Sequence, residues 1–376
     1  MIEVNAETKS ARYTVSSLHL LSVLYVSAVD ISLMGFQREA VEGAGHDAWV
    51  AVIAAGIGIH AVLWLMYSTA SRLPHADATL AAINVRCFGR PLGSALNGLF
   101  VLFALLGAFL TFRSYIEICK IWMFPSMNFW PFSLLLLVLV YNAVSGGFQT
   151  VAGICLWGLL SVMLFIAPFT FLLLPMLHPQ NLLPPFDHSL PQYWDSTKVM
   201  AAQYLGVEVL LVAYPFIQHP AQSRRWAHAG VLLATGMFML MLLVVYMYFS
   251  EGQLLETVWP TLNAMSVLEI PLMQRLEYLI LSIWLLKIAA NISLGLWAAC
   301  HTAKVAFRAQ PRVMLVLSLL LLAAMQWFVK DMNDLNAFRS VYHRAGLGLL
   351  FGFVPLLFLL ARLRIRTPRP ENEAGA

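Results

Sequence analysis

The stretch Gln203-Tyr-Leu-Gly-Val-Glu-Val-Leu-Leu-Val-Ala-Tyr-Pro-Phe216 has the composition of a membrane-spanning helix, yet it holds a glutamate near its middle and a proline near its end. Glycine tolerates backbone angles that other residues resist, and proline removes a backbone donor and clashes with the preceding turn. The pattern therefore predicts an interruption between Gly206 and Pro215, with an ordinary kinked helix as the alternative. An ionisable residue at the centre of a bilayer costs at least about 2.5 kcal/mol and usually faces a cavity or a partner. We therefore expect Glu208 to line a binding cavity.

The rest of the chain has the composition of a membrane protein. Hydrophobic residues make up 60% of its 376 residues, charged residues only 11%, and the mean hydropathy is +0.76. A span needs about 20 mostly apolar residues. Such stretches lie at about 15–37, 46–70, 91–122, 129–145, 148–178, 198–216, 226–250, 275–304, 312–328 and 343–363. We predict an all-α integral membrane protein of ten transmembrane helices, forming a single domain over residues 1–376 with a basic polar tail at 364–376. The polar residues before the first span lack a signal-peptide cleavage site, so that span is expected to be retained.

Ten spans divide into five plus five, with repeat one at about 15–178 and repeat two at about 198–363. The first and sixth spans then run in opposite directions, as in the inverted repeats of secondary transporters. In such LeuT-like folds the first helix of each repeat is interrupted near the bilayer centre. In the first span this depth holds Ser27 to Ser32, including Asp30, but no central glycine. Asp30 is therefore expected either at a helix break or as a rim carboxylate near the outer surface.

The distribution of basic residues predicts the orientation. With a cytoplasmic N-terminus, fourteen basic residues lie on the inner side and six on the outer side. The inner set is Lys9, Arg12, Arg72, Arg86, Arg90, Arg224, Arg225, Lys304, Arg308, Arg312, Arg362, Arg364, Arg366 and Arg369. The outer set is Arg38, Lys198, Arg275, Lys330, Arg339 and Arg344. This asymmetry follows the positive-inside rule and predicts that both termini are cytoplasmic. The basic tail is expected to attract anionic membrane lipid.

Two spans carry further charges. In the third span Arg113 and Glu117 are four residues apart and are expected to pair, with Lys120 on nearly the same face. This pair either anchors a long helix or gates an outer vestibule.

The eighth span carries a polar stripe of Lys287, Asn291 and Gly295. A lysine this deep requires a carboxylate, and we expect Lys287 and Glu208 to be neighbours or to share a cavity. A purely structural lysine is the alternative.

A short amphipathic helix is expected between the second and third spans. After Pro74, apolar residues recur at Leu80, Ile83 and Phe88, behind a candidate cap at Asp77. A simple loop is the alternative.

The sequence offers no pattern for catalysis or metal binding. The four cysteines have no second Cys or His at ligand spacing, and the histidines, including His188, are scattered and are interpreted as loop or interfacial residues. No serine–histidine neighbourhood has a third member, and no basic patch is interleaved with aromatics for nucleic acid. We expect no cofactor, no metal and no enzyme activity.

Several stretches in a fixed order resemble one family. They are Gly45-His-Asp-Ala-Trp49, Pro74 with Thr79-Leu80, Phe88-Gly-Arg-Pro-Leu-Gly93, Asn181-Leu-Leu-Pro184, Glu208 ahead of Tyr214-Pro215, and Glu277 ahead of Trp284 and Lys287. Together they are similar to the B subunit of spore germinant receptors, a branch of the amino acid-polyamine-organocation transporter superfamily. The resemblance covers nearly the whole chain.

The resemblance implies a ten-helix inverted-repeat fold in the inner membrane of a bacterial spore, with a membrane A subunit and a lipoprotein C subunit as partners. It also implies that the chain senses a small nutrient, commonly an amino acid, and so triggers germination. By position, Ser27 to Asp30 and Gly206 to Glu208 correspond to the interrupted helices that hold the ligand.

For an amino acid, half-helix N-termini would supply donors to the carboxylate, and open carbonyls or Glu208 would accept from the ammonium. Tyr204 and Tyr214 are expected to line the apolar part of the pocket, and Lys287 to share it. The alternative is a proton-coupled amino acid permease in which Glu208 and Lys287 carry the coupling charge. A channel subunit is a third hypothesis, but the sequence shows no ring of charge of the kind that lines a channel.

Overall fold

The computed structural model describes residues 14–126, 128–268, 275–329 and 331–365. The segment before the first span, Lys330 and the tail beyond residue 365 lie outside the described residues. Regular structure in the described ranges is helical, apart from one isolated β-bridge between Val15 and Ile217.

The chain forms α-helices joined by short turns. They are α1 (His19–Ala28), α2 (Phe36–Ala44), α3 (Trp49–Ala70), α4 (Leu80–Phe88), α5 (Arg90–Trp122), α6 (Trp130–Ser145), α7 (Phe148–Leu173), α8 (Leu190–Ala202), α9 (Leu210–Ala213), α10 (Pro220–Tyr248), α11 (Glu251–Glu256), α12 (Pro260–Ser266), α13 (Leu276–Phe307), α14 (Pro311–Met325), α15 (Met332–Leu347) and α16 (Val354–Arg364). Short 3₁₀ turns lie at Ile31–Met34, Gly45–Ala48, His75–Asp77, Leu174–Met176, Pro179–Leu182, Val207–Val209 and Tyr214–Phe216, and a π-helical segment, Gly348–Phe353, joins α15 to α16.

Several of these helices are long and apolar enough to cross a membrane. In the described ranges six meet that test, or seven if the bent pair Leu190–Ala202 and Val207–Phe216 is one span. Shorter apolar helices are α1, α6 and α14. The chain is therefore an integral membrane protein, and length and composition alone do not reach the predicted count of ten.

The last span is longer than predicted. The expected boundaries were 343–363, but helix runs from Met332 to Arg364 through the π-helical segment. Its first turns hold polar residues such as Asn336 and Arg339, which line a cavity of the protein. A hydropathy pattern excludes such residues from a span, and this explains the error.

The first span is interrupted, as predicted. Helix α1 ends at Ala28, and Asp30 has an extended backbone (φ −116°, ψ −167°) before the turn Ile31–Met34. Any residue adopts these angles, so this break does not require the central glycine that the sequence lacks. The ion pair of Asp30 with Lys287 and its hydrogen bond from Thr111 place it inside the bundle, and the alternative of a rim position at the outer surface is wrong.

The sixth span is interrupted at Gly206. Helix α8 ends at Ala202, Gly206 has φ +114°, and the chain resumes in the turn Val207–Val209 at an angle of 49°. Only glycine adopts such a φ readily. A Cβ at Gly206 would lie 2.6 Å from the carbonyl oxygen of Ser27. The two breaks therefore face each other across a direct backbone contact.

The remaining helices enclose the two broken ones. Helix α13 packs along α5 and α7, and α10 packs against α1 and α3. The half-helices α2 and α8 pack on one another. Gly158 of α7 brings its backbone against Lys287 of α13, where a Cβ would lie 3.2 Å from the lysine Cα. Small residues allow this close approach where water does not drive helices together.

The N-terminal end of α1 is tied to the end of the sixth span. The amide of Val15 donates to the Phe216 carbonyl at 2.8 Å, and the amide of Gln218 donates to the Val15 carbonyl at 3.0 Å. The Ser17 hydroxyl donates to the His219 carbonyl at 3.1 Å. We call this the inner end, after the orientation that the basic residues predict, and we call the opposite end, with α2 and α8, the outer end.

The expected amphipathic helix between the second and third spans is present as α4. Its buried face includes Leu80 and Ile83. The cap is Thr79, whose hydroxyl accepts from the Ala82 amide at 3.2 Å, whereas Asp77 pairs with Arg86 at 3.4 Å. The prediction of Asp77 as the cap is wrong because a 3₁₀ turn, His75–Asp77, precedes the helix.

Replacing Gly206 by alanine tests the contact between the breaks. We expect Gly206→Ala to lower the free energy of unfolding by about 2 kcal/mol or more, because its φ is strained for other residues and the Cβ meets the Ser27 carbonyl. Gly236→Ala, in the middle of α10 with nothing within 4 Å of the added Cβ, is the matched control and should be neutral or slightly stabilising. Melting in detergent measures both, and equal stability of the two variants would contradict the packing described.

Candidate ligand-binding cavity

A cavity of about 680 Å³ lies where the two broken helices face each other. We call it the central cavity. Its deep wall includes Ser27, Gly206 and Asn291, and its exposed lining residues include Glu42 and Lys198 at the outer end. Its volume is in the range of about 300–1,000 Å³ that is typical of small-molecule sites. The cavity therefore reaches from the outer end to the helix breaks.

Asp30 projects into this cavity from the break in the first span. Its Oδ2 accepts a hydrogen bond from the Thr111 hydroxyl at 2.6 Å, and about a quarter of its side chain is exposed. Its Oδ1 lies 3.7 Å from Nζ of Lys287. Asp30 therefore has one oxygen held by α5 and the other facing a buried cation.

Lys287 pairs with Asp30, and the expectation that its carboxylate partner would be Glu208 is wrong. The lysine side chain is fully buried, and Lys287 is not among the residues that line the central cavity. Neither its Nζ nor Oδ1 of Asp30 has a hydrogen-bond partner among the described residues. Depth alone predicted Glu208, but the break in the first span turns Asp30 toward α13. The ion pair thus joins the first break to a helix behind the cavity wall.

Glu208 lies on the wall of the central cavity with 6% of its surface exposed. Its Oε2 accepts a hydrogen bond from the Gly206 amide at 2.8 Å. Among the described residues, no basic nitrogen lies within 4.0 Å of the Glu208 carboxylate, which is the limit for an ion pair. The carboxylate therefore satisfies a backbone donor that the break has freed, at the N-terminal end of the following half-helix.

The freed carbonyl groups of the first break also have partners. The Asn291 amide donates to the Val26 carbonyl at 2.9 Å, and the Ser27 hydroxyl donates to the Leu24 carbonyl. Asn291 belongs to the polar stripe that the sequence predicts, and its role here is to close the end of α1. Gly295 of the same stripe lines the cavity.

Two tyrosines predicted to line the pocket lie elsewhere. The Tyr204 hydroxyl pairs with the Thr235 hydroxyl at 2.7 Å, and its ring packs edge-on against Phe238. The Tyr214 ring packs edge-on against Tyr67 at the inner end. Neither lines the central cavity. Their place along the span predicted the pocket, but both rings pack against aromatic rings of other helices instead.

Sequence reasoning missed several cavity residues. Thr111, Ser340, Tyr342 and Arg339 line the central cavity together with Asp30 and Glu208. The Arg339 guanidinium donates to the Ser114 hydroxyl at 3.3 Å. The predicted bounds of the last span, 343–363, leave both Arg339 and Tyr342 outside it. The signal in the sequence that points to these residues is helical periodicity upstream of residue 343.

The Arg113–Glu117 pair forms as predicted. Nη1 of Arg113 donates a hydrogen bond to Oε2 of Glu117, and both residues are buried. Nε of Arg113 donates to the Val329 carbonyl at 3.3 Å. Neither lines the central cavity, and Lys120 is exposed. The pair therefore joins α5 to the segment that follows α14, which favours the anchoring interpretation over gating.

The charged residues of the central cavity differ along its depth. Carboxylates of Asp30 and Glu208 lie beside the helix breaks, while the outer side carries both signs, with the basic Arg38, Lys198 and Arg339 and the acidic Glu39 and Glu42. Between them are apolar surfaces, which include Leu205, Val209, Leu294, Ala104, Ala108 and Phe100. This arrangement suits a small molecule with a cationic group at its deep end.

The sequence profile described as Spore germination protein matches residues 14–335. The chain belongs to this spore germination protein family. It is 28% identical over 357 residues to spore germination protein GerQB of Bacillus cereus, covering 95% of this chain and 98% of that one. It is 20% identical over 317 residues to spore germination protein YndE of Bacillus subtilis (strain 168), covering 84% and 86% of the two chains.

Solved transporter structures share the fold. Mhp1, a nucleobase-cation-symport-1 family transporter in a closed conformation with bromovinylhydantoin bound, aligns with a TM-score of 0.63 at 13% identity, over 93% of this chain and 78% of that one. A Na⁺-coupled sialic acid symporter in a substrate-bound outward-open state aligns with a TM-score of 0.62 at 12% identity, over 94% and 80%. The chain is therefore a germination-related, permease-like membrane protein with a transporter fold of the LeuT type.

Separating Asp30 from Lys287 should destabilise the protein. We expect Asp30→Asn to lower the free energy of unfolding by about 3 kcal/mol, because it leaves the buried ammonium without its carboxylate. The double variant Asp30→Asn/Lys287→Met should recover most of this loss. Asp195→Asn, which breaks the exposed pair with Lys198, is the control and should change stability by at most about 1 kcal/mol.

A double-variant cycle in detergent measures these values. A loss for Asp30→Asn no larger than that for Asp195→Asn would contradict a coupled pair.

Proposed function

We propose that this chain is the nutrient-binding B subunit of a spore germinant receptor, without enzyme activity, and that it binds a small germinant in the central cavity. The germinant is expected to be an amino acid. The observation that carries this proposal is the placement of Asp30 and Glu208 beside two facing helix breaks, in a cavity that reaches the outer end. Membership of the spore germination protein family supports the biological role.

The charges support a particular direction for a bound amino acid. Its ammonium lies against the carboxylates of Asp30 and Glu208, because these are the acidic groups beside the helix breaks. Its carboxylate points outward to Arg339, because the amide of Gly206 already donates to Glu208. This differs from the expectation that the half-helix N-terminus would hold the carboxylate. The apolar side chain lies against Leu205 and Leu294.

In this arrangement a bound ligand acts directly on an ion pair that holds the fold together. An ammonium beside Asp30 competes with Lys287 for the same carboxylate, since Oδ1 lies 3.7 Å from Nζ. Weakening that pair loosens the first break from α13. The ligand then favours a different arrangement of α1 and α2, and a differential affinity of this kind is what a ligand-driven switch needs.

The remaining parts of the proposal rest on the family. The chain is placed in the inner membrane of the bacterial spore, with both termini cytoplasmic and in contact with membrane lipid. Its partners are the A and C subunits of the receptor. The similarity to GerQB over 95% of the chain supports these assignments.

A second candidate function is a proton-coupled amino acid permease. The observation that favours it is the fold, which is shared with cation-linked symporters. In this reading Glu208 and the Asp30–Lys287 pair carry the coupling charge. A receptor and a permease both need the same cavity, and they differ in whether the ligand crosses the membrane.

Glu208→Gln tests the site. The amide oxygen of glutamine still accepts from Gly206, so the fold should survive, while the charge that faces the ligand ammonium is removed. We expect equilibrium binding of the amino acid that triggers the spores to weaken at least about tenfold, the loss of roughly one charge-assisted hydrogen bond. Glu42→Gln, an exposed residue at the outer end of the same cavity, is the matched control and should bind normally.

The same two variants should also differ in spores that contain them at native abundance. Spores with Glu208→Gln should require more nutrient to germinate than spores with Glu42→Gln. A normal response of Glu208→Gln, in binding and in germination, would overturn the assignment of the site.

A further inference from the structure

A second cluster of polar groups lies at the outer end, apart from the central cavity. It consists of Asp47, from the turn that follows α2, with Asp187 and His188 from the loop that precedes α8. We call it the outer triad. None of the three lines the central cavity. One possible ligand atom from each residue lies within 4.8 Å of the other two.

Of the two distances that His188 makes in the outer triad, one matches the separation of ligand atoms around a metal ion and the other is shorter. Nδ1 of His188 lies 2.6 Å from Oδ1 of Asp187 and 3.4 Å from Oδ2 of Asp47. Ligand atoms bound at about 2.1 Å to one tetrahedral or octahedral ion are about 3.0–3.4 Å apart. Small side-chain adjustments would therefore bring all three atoms into the coordination sphere of one ion.

Asp47 has an unsatisfied oxygen at this place. Its side chain is 2% exposed and points into the triad, where Oδ2 accepts from the Tyr193 hydroxyl at 2.8 Å and from the Asp187 amide at 3.3 Å. Its Oδ1 has no hydrogen-bond partner in the described part of the chain. A buried carboxylate oxygen without a partner loses its hydration and gains nothing in exchange. A bound cation would supply the missing interaction.

The surroundings hold the triad in position. The Tyr193 hydroxyl orients the Asp47 carboxylate, as outer-shell groups do around metal ligands. Gly45 has φ +50°, and a Cβ there would lie 2.7 Å from the His188 ring. The glycine therefore lets the imidazole pack directly on the backbone of the turn that carries Asp47.

We propose that the outer triad binds a divalent transition-metal ion, with Zn²⁺ the best fit. One imidazole nitrogen and two carboxylate oxygens suit zinc, and water would complete four-coordination. Calcium takes six to eight oxygen ligands and is the poorer match. The two carboxylates also balance the double charge of the ion. Asp47 and His188 are 141 positions apart, which explains why ligand spacing in the sequence did not reveal the site.

The ion would brace the outer wall of the protein. Asp47 follows α2 and His188 precedes α8, and these two half-helices pack on one another beside the outer end of the central cavity. A metal bond between them would hold the outer parts of both broken spans together.

Cobalt binding tests the proposal without reference to germination. The purified full-length protein, with any affinity tag removed, is stripped of metal by a chelator and titrated with Co²⁺, whose visible d–d absorption reports its ligands. We expect one Co²⁺ per chain, displaced by Zn²⁺, and a higher melting temperature with Zn²⁺ than after chelation. His188→Ala should weaken Co²⁺ binding at least a hundredfold and abolish the shift in melting temperature.

Control variants separate this site from adventitious binding. His178→Ala, an exposed histidine of the same loop, and Asp195→Asn, an exposed carboxylate of α8, should bind Co²⁺ as the unchanged protein does. Asp47→Asn provides a second test of the triad if His188→Ala does not fold. Absence of the Co²⁺ absorption, or equal binding by His188→Ala and His178→Ala, would overturn the proposal and leave the outer triad as a cluster of polar contacts without a metal.

Discussion

The structure depends on two helices that are interrupted at the same depth in a bilayer. In hydrocarbon every backbone polar group must find its partner within the protein, and here side chains supply hydrogen-bond partners to backbone groups at both breaks. The Gly206 amide donates to Glu208, the Val26 carbonyl accepts from Asn291, and the backbone of Gly206 lies against the Ser27 carbonyl. The cavity and the position of Asp30 both follow from this mutual support.

The same groups explain how the site connects to the rest of the protein. Asp30 faces the cavity on one side and Lys287 on the other, so occupancy of the cavity and the fit of α13 against the first break depend on one carboxylate. At the inner end, Val15 bridges to the chain that follows the sixth span. A ligand that enters from the outer end therefore meets a closed inner end. A permease would have to open the Val15 bridge.

Local signals in the sequence predicted the parts of the site that depend on a single segment. Gly206 and Glu208 lie at the break that they predict, and Arg113 and Glu117 form a pair within one helix. Features that depend on how segments meet were not predictable. The partner of Lys287 is Asp30 because of a turn in another helix, and Tyr204 and Tyr214 pack against residues of other helices instead of lining the cavity. The outer triad likewise exists only where the turn after α2 meets a distant loop.

The most direct test of the account is to compare binding with transport in one preparation. Proteoliposomes that contain the purified chain are incubated with radiolabelled amino acids, with and without a proton gradient, and both bound and accumulated label are measured. The account predicts saturable binding of the amino acid that triggers germination, with no accumulation above the level in protein-free liposomes. Accumulation driven by the gradient would contradict it and would make the chain a transporter first.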